Sequence, residues 1–437
     1  MRAPLLRWLL IGVAVAAVTA VVIVVGLLMI GPRKAPPAPA AVADVAETIS
    51  SEEPRLADGE LLPEPVATPA PKTSHDYVIL QIGDSHTAAD LFSGEVRDKL
   101  QDRFSKGGLF LPPGIPKAGV QSADITIKAS DGWSYNAMAS TDQPEHFWLS
   151  GYTASVTENG ASISFASKSP RAFDAIDVSF LKSANGGAAD ILLDGVVVNQ
   201  VNLNGKPGEP LIRRLLPAGK TGQFTRLEVK TTSAGKVEFS GVFVDQRQSG
   251  VSYLSVGFPS ARVNVLERMA PENLADDMQR INPDMVVLAF GTNEGFDDNL
   301  DIARYKTTLT GIVNALMRAR PGLRVVLIGP PPGARQESSC TEVRRACGQP
   351  VAGACWAQPR NIAAVRAAEQ AVAKELGATF WDWSSVLPTA CDLEQGHLGN
   401  PAVFGPDRVH LTARGYRNSA DAFAQVLVPI VTRAMGS

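Results

Sequence analysis

The chain has 437 residues, more than one compact core accommodates, so its length predicts two folded units with additional segments. Apolar residues make up 45% of it and charged residues 19%, ordinary for a globular protein, and the formal net charge is −3. With both signs interspersed there is no basic patch or stripe to hold nucleic acid, which is therefore not an expected partner.

From Leu9 to Ile30 the sequence is uncharged and apolar, long enough to cross a bilayer as a helix. Arg2 and Arg7 precede it and Arg33 and Lys34 follow, so the charge bias that orients a span is weak. Residues 1–31 read as an N-terminal membrane anchor. The alternative is a signal peptide cleaved near the Ala-rich residues 38–43. Residues 32–75, rich in Pro and Ala, cannot bury enough apolar surface to fold and read as a disordered linker.

The first folded element is the apolar run Tyr77 to Ile82, a buried strand. It is followed by Gly83-Asp84-Ser85-His86-Thr87 and by a helix on which Phe92, Val96 and Leu100 share one face. Gly107-Gly108, Pro112-Pro113-Gly114 and Pro116 mark a long loop. Trp133 and Tyr135 follow, as a buried aromatic pair or as a platform for sugar rings. From about 145 to 250 the texture changes to short alternating runs, 161–165, 175–180, 190–194, 226–230 and 236–244, separated by turn signals such as Asp194-Gly195. Several such strands in succession predict a β-sandwich or jelly-roll-like module inserted over 145–250, binding glycan or shielding one side of a cleft.

The α/β pattern then resumes. Strands are expected at 252–256, 284–290, 323–328 and 378–382, with helices through about 280, over 301–319 and over 361–376. A last helix carries Tyr416, Ala420, Phe423, Leu427 and Ile430 on one face. Continuous apolar strands alternating with helices predict a parallel sheet covered on both sides, formed by residues 76–144 and 251–437. The four cysteines, Cys340, Cys347, Cys355 and Cys391, lie in the last quarter of the chain. They lack the Cys-x-x-Cys pairs and neighbouring His of a zinc site. Two disulfides are expected, with all three connectivities open, in a body exported from the cytoplasm.

Ligands bind at the carboxyl edge of open α/β sheets. There the sequence places Ser85 on a strand-to-helix turn, Gly257 at the end of the second core strand and Asn293 in Gly291-Thr292-Asn293-Glu294. Asp407 and His410 arrive from Pro406-Asp407-Arg408-Val409-His410-Leu411, just before the final helix. Three residues apart on one turn, Asp407 can hold the His410 imidazole by one nitrogen while the other takes a proton from Ser85. Of the five histidines, His75 lies in the linker, His146 at the edge of the insert and His397 in a Gly-rich loop. His86 would point away from Ser85 on an extended turn. The Ser85 N–H, the Gly257 N–H and the Asn293 amide are candidate oxyanion donors. Asp84 reads as structural, fixing the turn.

These blocks resemble, in order, those of the SGNH or GDSL-type hydrolases. The resemblance implies a flavodoxin-like five-stranded sheet, a Ser85–His410–Asp407 triad and an oxyanion hole of Ser85, Gly257 and Asn293. His86-Thr87 and the β-rich insert are more narrowly similar to the bacterial peptidoglycan O-acetylesterases, whose insert resembles a carbohydrate-binding module. The membrane anchor and the Cys-bearing loop depart from that pattern. The function expected is a serine esterase that removes O-acetyl groups from a cell-envelope glycan such as peptidoglycan, through an acyl-enzyme. No metal or organic cofactor is expected. The alternatives are an O-acyltransferase on an envelope polysaccharide and a non-catalytic glycan-binding protein. The expected location is the bacterial inner membrane, single-pass with a periplasmic catalytic body, or the periplasm after cleavage.

Overall fold

The computed structural model describes residues 77–113, 120–140, 147–219, 221–246, 250–342 and 345–436. The expected anchor and linker lie outside them. Among the described residues, no helix is long and apolar enough to cross a membrane.

The chain begins with β1 (Tyr77–Gly83), α1 (Ser85–Ala88) and α2 (Leu91–Phe104). A β-rich stretch follows: β2 (Leu109–Leu111), β3 (Ile125–Ala129), β4 (Ser134–Ala137), β5 (Tyr152–Val156), β6 (Ser162–Phe173), β7 (Ala175–Leu181) and β8 (Ala188–Leu193). It continues through β9 (Val196–Asn202), β10 (Pro210–Leu215), β11 (Gly222–Thr231) and β12 (Val237–Asp245). The remainder alternates: β13 (Val251–Gly257), α3 (Pro271–Ile281), β14 (Met285–Ala289), α4 (Thr292–Gly295), α5 (Ile302–Ala319) and β15 (Arg324–Gly329). A small hairpin, β16 (Arg335–Glu337) and β17 (Cys355–Ala357), precedes α6 (Ile362–Leu376), β18 (Thr379–Asp382), α7 (Ala390–Gln395) and α8 (Ala413–Met435).

Strands β13, β1, β14, β15 and β18 form one parallel sheet in that order. Counted along the chain as core strands one to five, this is the doubly wound order 2-1-3-4-5. The two-residue period of a strand sends alternate side chains to opposite faces, and the apolar runs serve both. Val78, Leu80 and Ile82 of β1 enter one cluster with Val286 and Leu288 and with Leu309, Val313, Val365 and Val372 of α5 and α6. Tyr77 and Ile79 enter another with Val287, Phe92, Val96, Leu100, Phe423 and Leu427 of α2 and α8. Each such buried side chain contributes about 1.5–3 kcal/mol relative to exposure. The apolar faces read for the helix after Ser85 and for the last helix are the faces that pack.

The β-rich residues form two antiparallel sheets, one ordered β10-β7-β12-β5-β4 with β2 paired to β12, the other β3-β6-β11-β8-β9. Val178, Phe180 and Phe239 from the first share a cluster with Ile163, Phe165, Leu227 and Ile191 from the second. These sheets also take β2, β3 and β4 from before residue 145. Such short strands, mostly exposed in β3 and mostly half-buried in β4, carry too little alternation to be read from sequence. Strand β7 is buried throughout because its second face meets the α/β part: Asp177 lies 4.0 Å from Arg280 of α3. Arg280 also pairs with Asp277, and its guanidinium stacks 5.7 Å from the Trp148 ring. Trp133 and Tyr135 pack against the shared cluster, half-buried. The exposed large apolar side chains among the described residues are Leu91, Val196, Val197, Val198 and Leu216, none of them aromatic.

Of the three possible connectivities, the cysteines adopt Cys340–Cys355 and Cys347–Cys391.

Candidate active site

The site is assembled at the carboxyl ends of three neighbouring strands. Strand β1 delivers Ser85, β13 ends at Gly257 and β14 runs into Asn293. Gly83 pairs with Gly257 on one side and Ala289 on the other, which fixes the three ends at one level. The absence of side chains lets α1 lie on the sheet. A Cβ on Gly257 would stand 2.1 Å from the Ala88 nitrogen, and one on Gly83 would stand 2.5 Å from the Ala289 oxygen.

The turn at Ser85 is helical, not extended. Asp84 caps it, its Oδ1 accepting from the His86 N–H at 3.0 Å, as its reading as a structural residue requires. The helical turn leaves Ser85 half-exposed and drives His86 into the interior. His86 Nδ1 lies 2.9 Å from Tyr416 Oη, and its ring centroid lies 5.4 Å from that of Trp383 and 5.2 Å from that of His410. Burial, with the His410 ring adding to it, pushes the His86 imidazole down to about 3. It is thus a neutral wall beside His410 rather than a base.

Ser85 Oγ lies 3.0 Å from His410 Nε2, and His410 Nδ1 lies 2.7 Å from Asp407 Oδ2. With Asp407 accepting from Nδ1–H, Nε2 is left as the acceptor for the serine proton. Asp407 Oδ1 also accepts from the Val409 and His410 backbone N–H groups, each at 3.1 Å. Burial opposes its ionisation, but these donors and the His410 ring hold its carboxyl below the usual range. The dyad is open to solvent, with side chains 46% and 51% exposed, which leaves Ser85 reachable by a bulky substrate.

Asn293 donates one amide hydrogen to Ala261 O at 2.8 Å, which orients the group; an amide carries a second donor. Glu294 fastens this turn, accepting from Val263 N at 2.6 Å and from Gly291 N at 3.1 Å. The N–H groups of a strand alternate in direction, and Phe258 N donates to Gly83 O at 2.8 Å. The Gly257 N–H therefore points away from β1 and from Ser85, so the structure does not bring this expected oxyanion donor to the site: strand alternation turns it to the opposite edge of β13. The Gly257 carbonyl accepts from Tyr152 Oη of the β-rich part at 2.7 Å. Tyr152 and Glu294 escaped the sequence reading; Glu294 was legible as the acidic residue following Asn293, whereas nothing local marks Tyr152.

Carboxyls crowd beneath the site. Glu369, accepting from Tyr305 Oη at 2.6 Å, is raised well above the usual range by burial, and Glu294 is raised by burial too. Burial, reinforced by Glu294 and only partly offset by the His86 N–H, pushes Asp84 up to about 7. An unfolded Asp releases its proton near pH 4, so between about pH 4 and 7 the folded chain holds a proton that the unfolded chain has lost. Stability from this group therefore falls as pH rises through that window. Asp84→Asn keeps the acceptor for His86 and is expected to raise stability on the order of 3 kcal/mol at pH 8, with little change at pH 4. Thermal melts at the two pH values read the difference, and a gain of equal size at both would refute the buried-acid account.

Residues 239–417 match the sequence profile of the GDSL-like Lipase/Acylhydrolase family. The match takes in Gly257, Asn293, Asp407 and His410; Ser85 lies outside it, across the β-rich stretch. A solved peptidoglycan O-acetylesterase has the same fold, with a TM-score of 0.65 and 22% identity over 83% of this chain and 93% of that one. A family two carbohydrate esterase from Clostridium thermocellum, solved in complex with cellohexaose, aligns at a TM-score of 0.31 and 12% identity, over 69% of this chain and 99% of that one. No curated protein sequence matches the chain. Residues 239–417 thus resemble the GDSL-like acylhydrolases, and the chain shares its fold with the solved peptidoglycan O-acetylesterase.

Proposed function

We propose that this SGNH-type chain is a serine esterase that removes O-acetyl groups from peptidoglycan or a related envelope glycan. The observation that carries the reading is the Ser85–His410–Asp407 relay, at 3.0 and 2.7 Å. His410 Nε2 takes the Ser85 proton as Oγ attacks the acetyl carbonyl, and the oxyanion is met by the Ser85 N–H and by the second hydrogen of the Asn293 amide. Collapse expels the sugar oxygen, which leaves with the proton from His410. Water, deprotonated by His410, then releases acetate from the acyl-enzyme.

The elements β1 to α2 and β13 to α8 are read as the hydrolase domain and β2 to β12 as an inserted β-sandwich module, jelly-roll-like in form and wider than the 145–250 expected from sequence because it takes β2, β3 and β4. Its inward-facing aromatics and the Tyr152–Gly257 contact favour a wall that steadies the end of β13 over a stacking platform for sugars. The segment 9–30 is read as an anchor holding a periplasmic body to the inner membrane. Two disulfides suit that oxidising compartment.

Incubating the full-length chain with O-acetylated peptidoglycan is expected to release free acetate, and a fluorophosphonate is expected to label Ser85. Acetyl groups appearing on a second glycan in place of free acetate would turn the reading into acyl transfer. Neither acetate release nor labelling would end the catalytic reading.

A further inference from the structure

The Asp407–His410 dyad is half-exposed, so little packing on its own side chains holds its aim. That aim comes from the backbone turn, and the turn is anchored through Arg408. Arg408 takes a left-handed conformation, φ 55°, which a non-glycine residue holds only where its surroundings enforce it. Its backbone N donates to Gly405 O at 3.0 Å and its O accepts from Ala334 N at 2.9 Å, while Gly405 N donates to His410 O at 2.8 Å. Its side chain reaches away from the site. The guanidinium stacks 4.1 Å from the Trp356 ring centroid and donates to the carbonyls of Leu393 and Glu394, the latter at 3.3 Å.

Both of those anchors belong to the disulfide-stapled region. Trp356 follows Cys355, which is bonded to Cys340; Leu393 and Glu394 follow Cys391, which is bonded to Cys347. The buried Glu394 carboxylate ties the loop together, accepting from Ala346 N at 2.8 Å, Cys347 N at 3.2 Å and Gln358 N at 3.1 Å. A continuous chain of contacts thus runs from both disulfides through Glu394 and Trp356 to Arg408, and from Arg408 into the turn that carries the base.

We propose that Arg408 is a positioning residue, and that the loop held by Cys340–Cys355 and Cys347–Cys391 is the rigid base against which it aims His410 at Ser85. The proposal rests on the esterase reading of the site. It gives the Cys-bearing loop, a departure from the family pattern, a function in catalysis without contact with substrate.

The test compares kcat, KM and the rate of fluorophosphonate labelling for three variants of the full chain on para-nitrophenyl acetate. Arg408→Ala is expected to lower kcat and the labelling rate together about 10²-fold, the effect of a displacement of about 1 Å, with KM nearly unchanged. Arg408→Lys is expected not to rescue, because an ammonium cannot stack flat on Trp356 while reaching two carbonyls. Cys347→Ser combined with Cys391→Ser is expected to lower kcat about tenfold, again with KM steady. Parent-like kcat in Arg408→Ala, or full rescue by lysine, overturns the proposal. Should Arg408→Ala lose its near-ultraviolet circular dichroism, the Cys pair decides: parent-like kcat there overturns the proposal as well. If the unmodified chain neither hydrolyses the ester nor takes the phosphonate, the esterase reading has failed and not the positioning role.

Discussion

Ser85→Ala is expected to lower kcat for acetate release about 10⁶-fold, the loss that follows when the nucleophile of a hydroxyl–imidazole–carboxylate relay is removed. The magnitude follows from the company Ser85 keeps. It is the hydroxyl 3.0 Å from His410 Nε2. The nearest alternative in sequence, Thr87, is buried and accepts from Gln81 Nε2 at 2.8 Å. The fold gives no reason for the variant to fail. Ser85 is half-exposed, starts a helix and makes its hydrogen bond to the exposed His410, so stability should move by less than about 0.5 kcal/mol. Released acetate measures the activity and a thermal melt the fold. A melt at the parent temperature with acetate release within about tenfold of the parent would sink the assignment of Ser85 as nucleophile.

Asp407→Asn is expected to lower kcat about 10⁴-fold while leaving KM nearly unchanged. An asparagine preserves shape and can still accept from the Val409 and His410 N–H groups through its oxygen. The atom that faces His410 Nδ1 then becomes an NH2 donor. The ring responds by presenting Nδ1 as an acceptor and placing its proton on Nε2, which faces Ser85 and can no longer take the serine proton. The loss is one of tautomer and not of packing. Kinetics on a small acetyl ester give kcat and KM directly. A drop below about tenfold would mean that Asp407 merely shapes the turn.

The two variants also separate kinds of information in this chain. Ser85 could be read locally: a buried apolar run ending in Gly-Asp-Ser before an amphipathic helix must put the serine at the end of a strand. The same holds for Asn293 after β14 and for the Asp407–His410 spacing. Both faces of the parallel sheet were legible, because continuous apolar strands flanked by helices with one apolar face have few other ways to bury their surface. The short strands β3 and β4 were not legible, since residues half in water carry no clean alternation. His86 was rightly set aside as the base, but on an extended turn where the structure has a helical one. The helical turn, stabilised by the Asp84 cap, makes that side chain part of the core.

What the sequence determined by itself was the trio Ser85, His410 and Asp407 and the edge of the sheet at which it gathers, because hydrophobic period and turn chemistry are nearest-neighbour properties. What the tertiary structure decided was distance. Ser85 and His410 are 325 residues apart in the chain, and their 3.0 Å separation follows from strand order, from the Gly83–Gly257 register and from the way α8 packs. The cysteine pairing and the anchoring of Arg408 were decided in the same way. They are contacts between segments that no local pattern links, selected only when the whole chain buries its apolar surface in one arrangement.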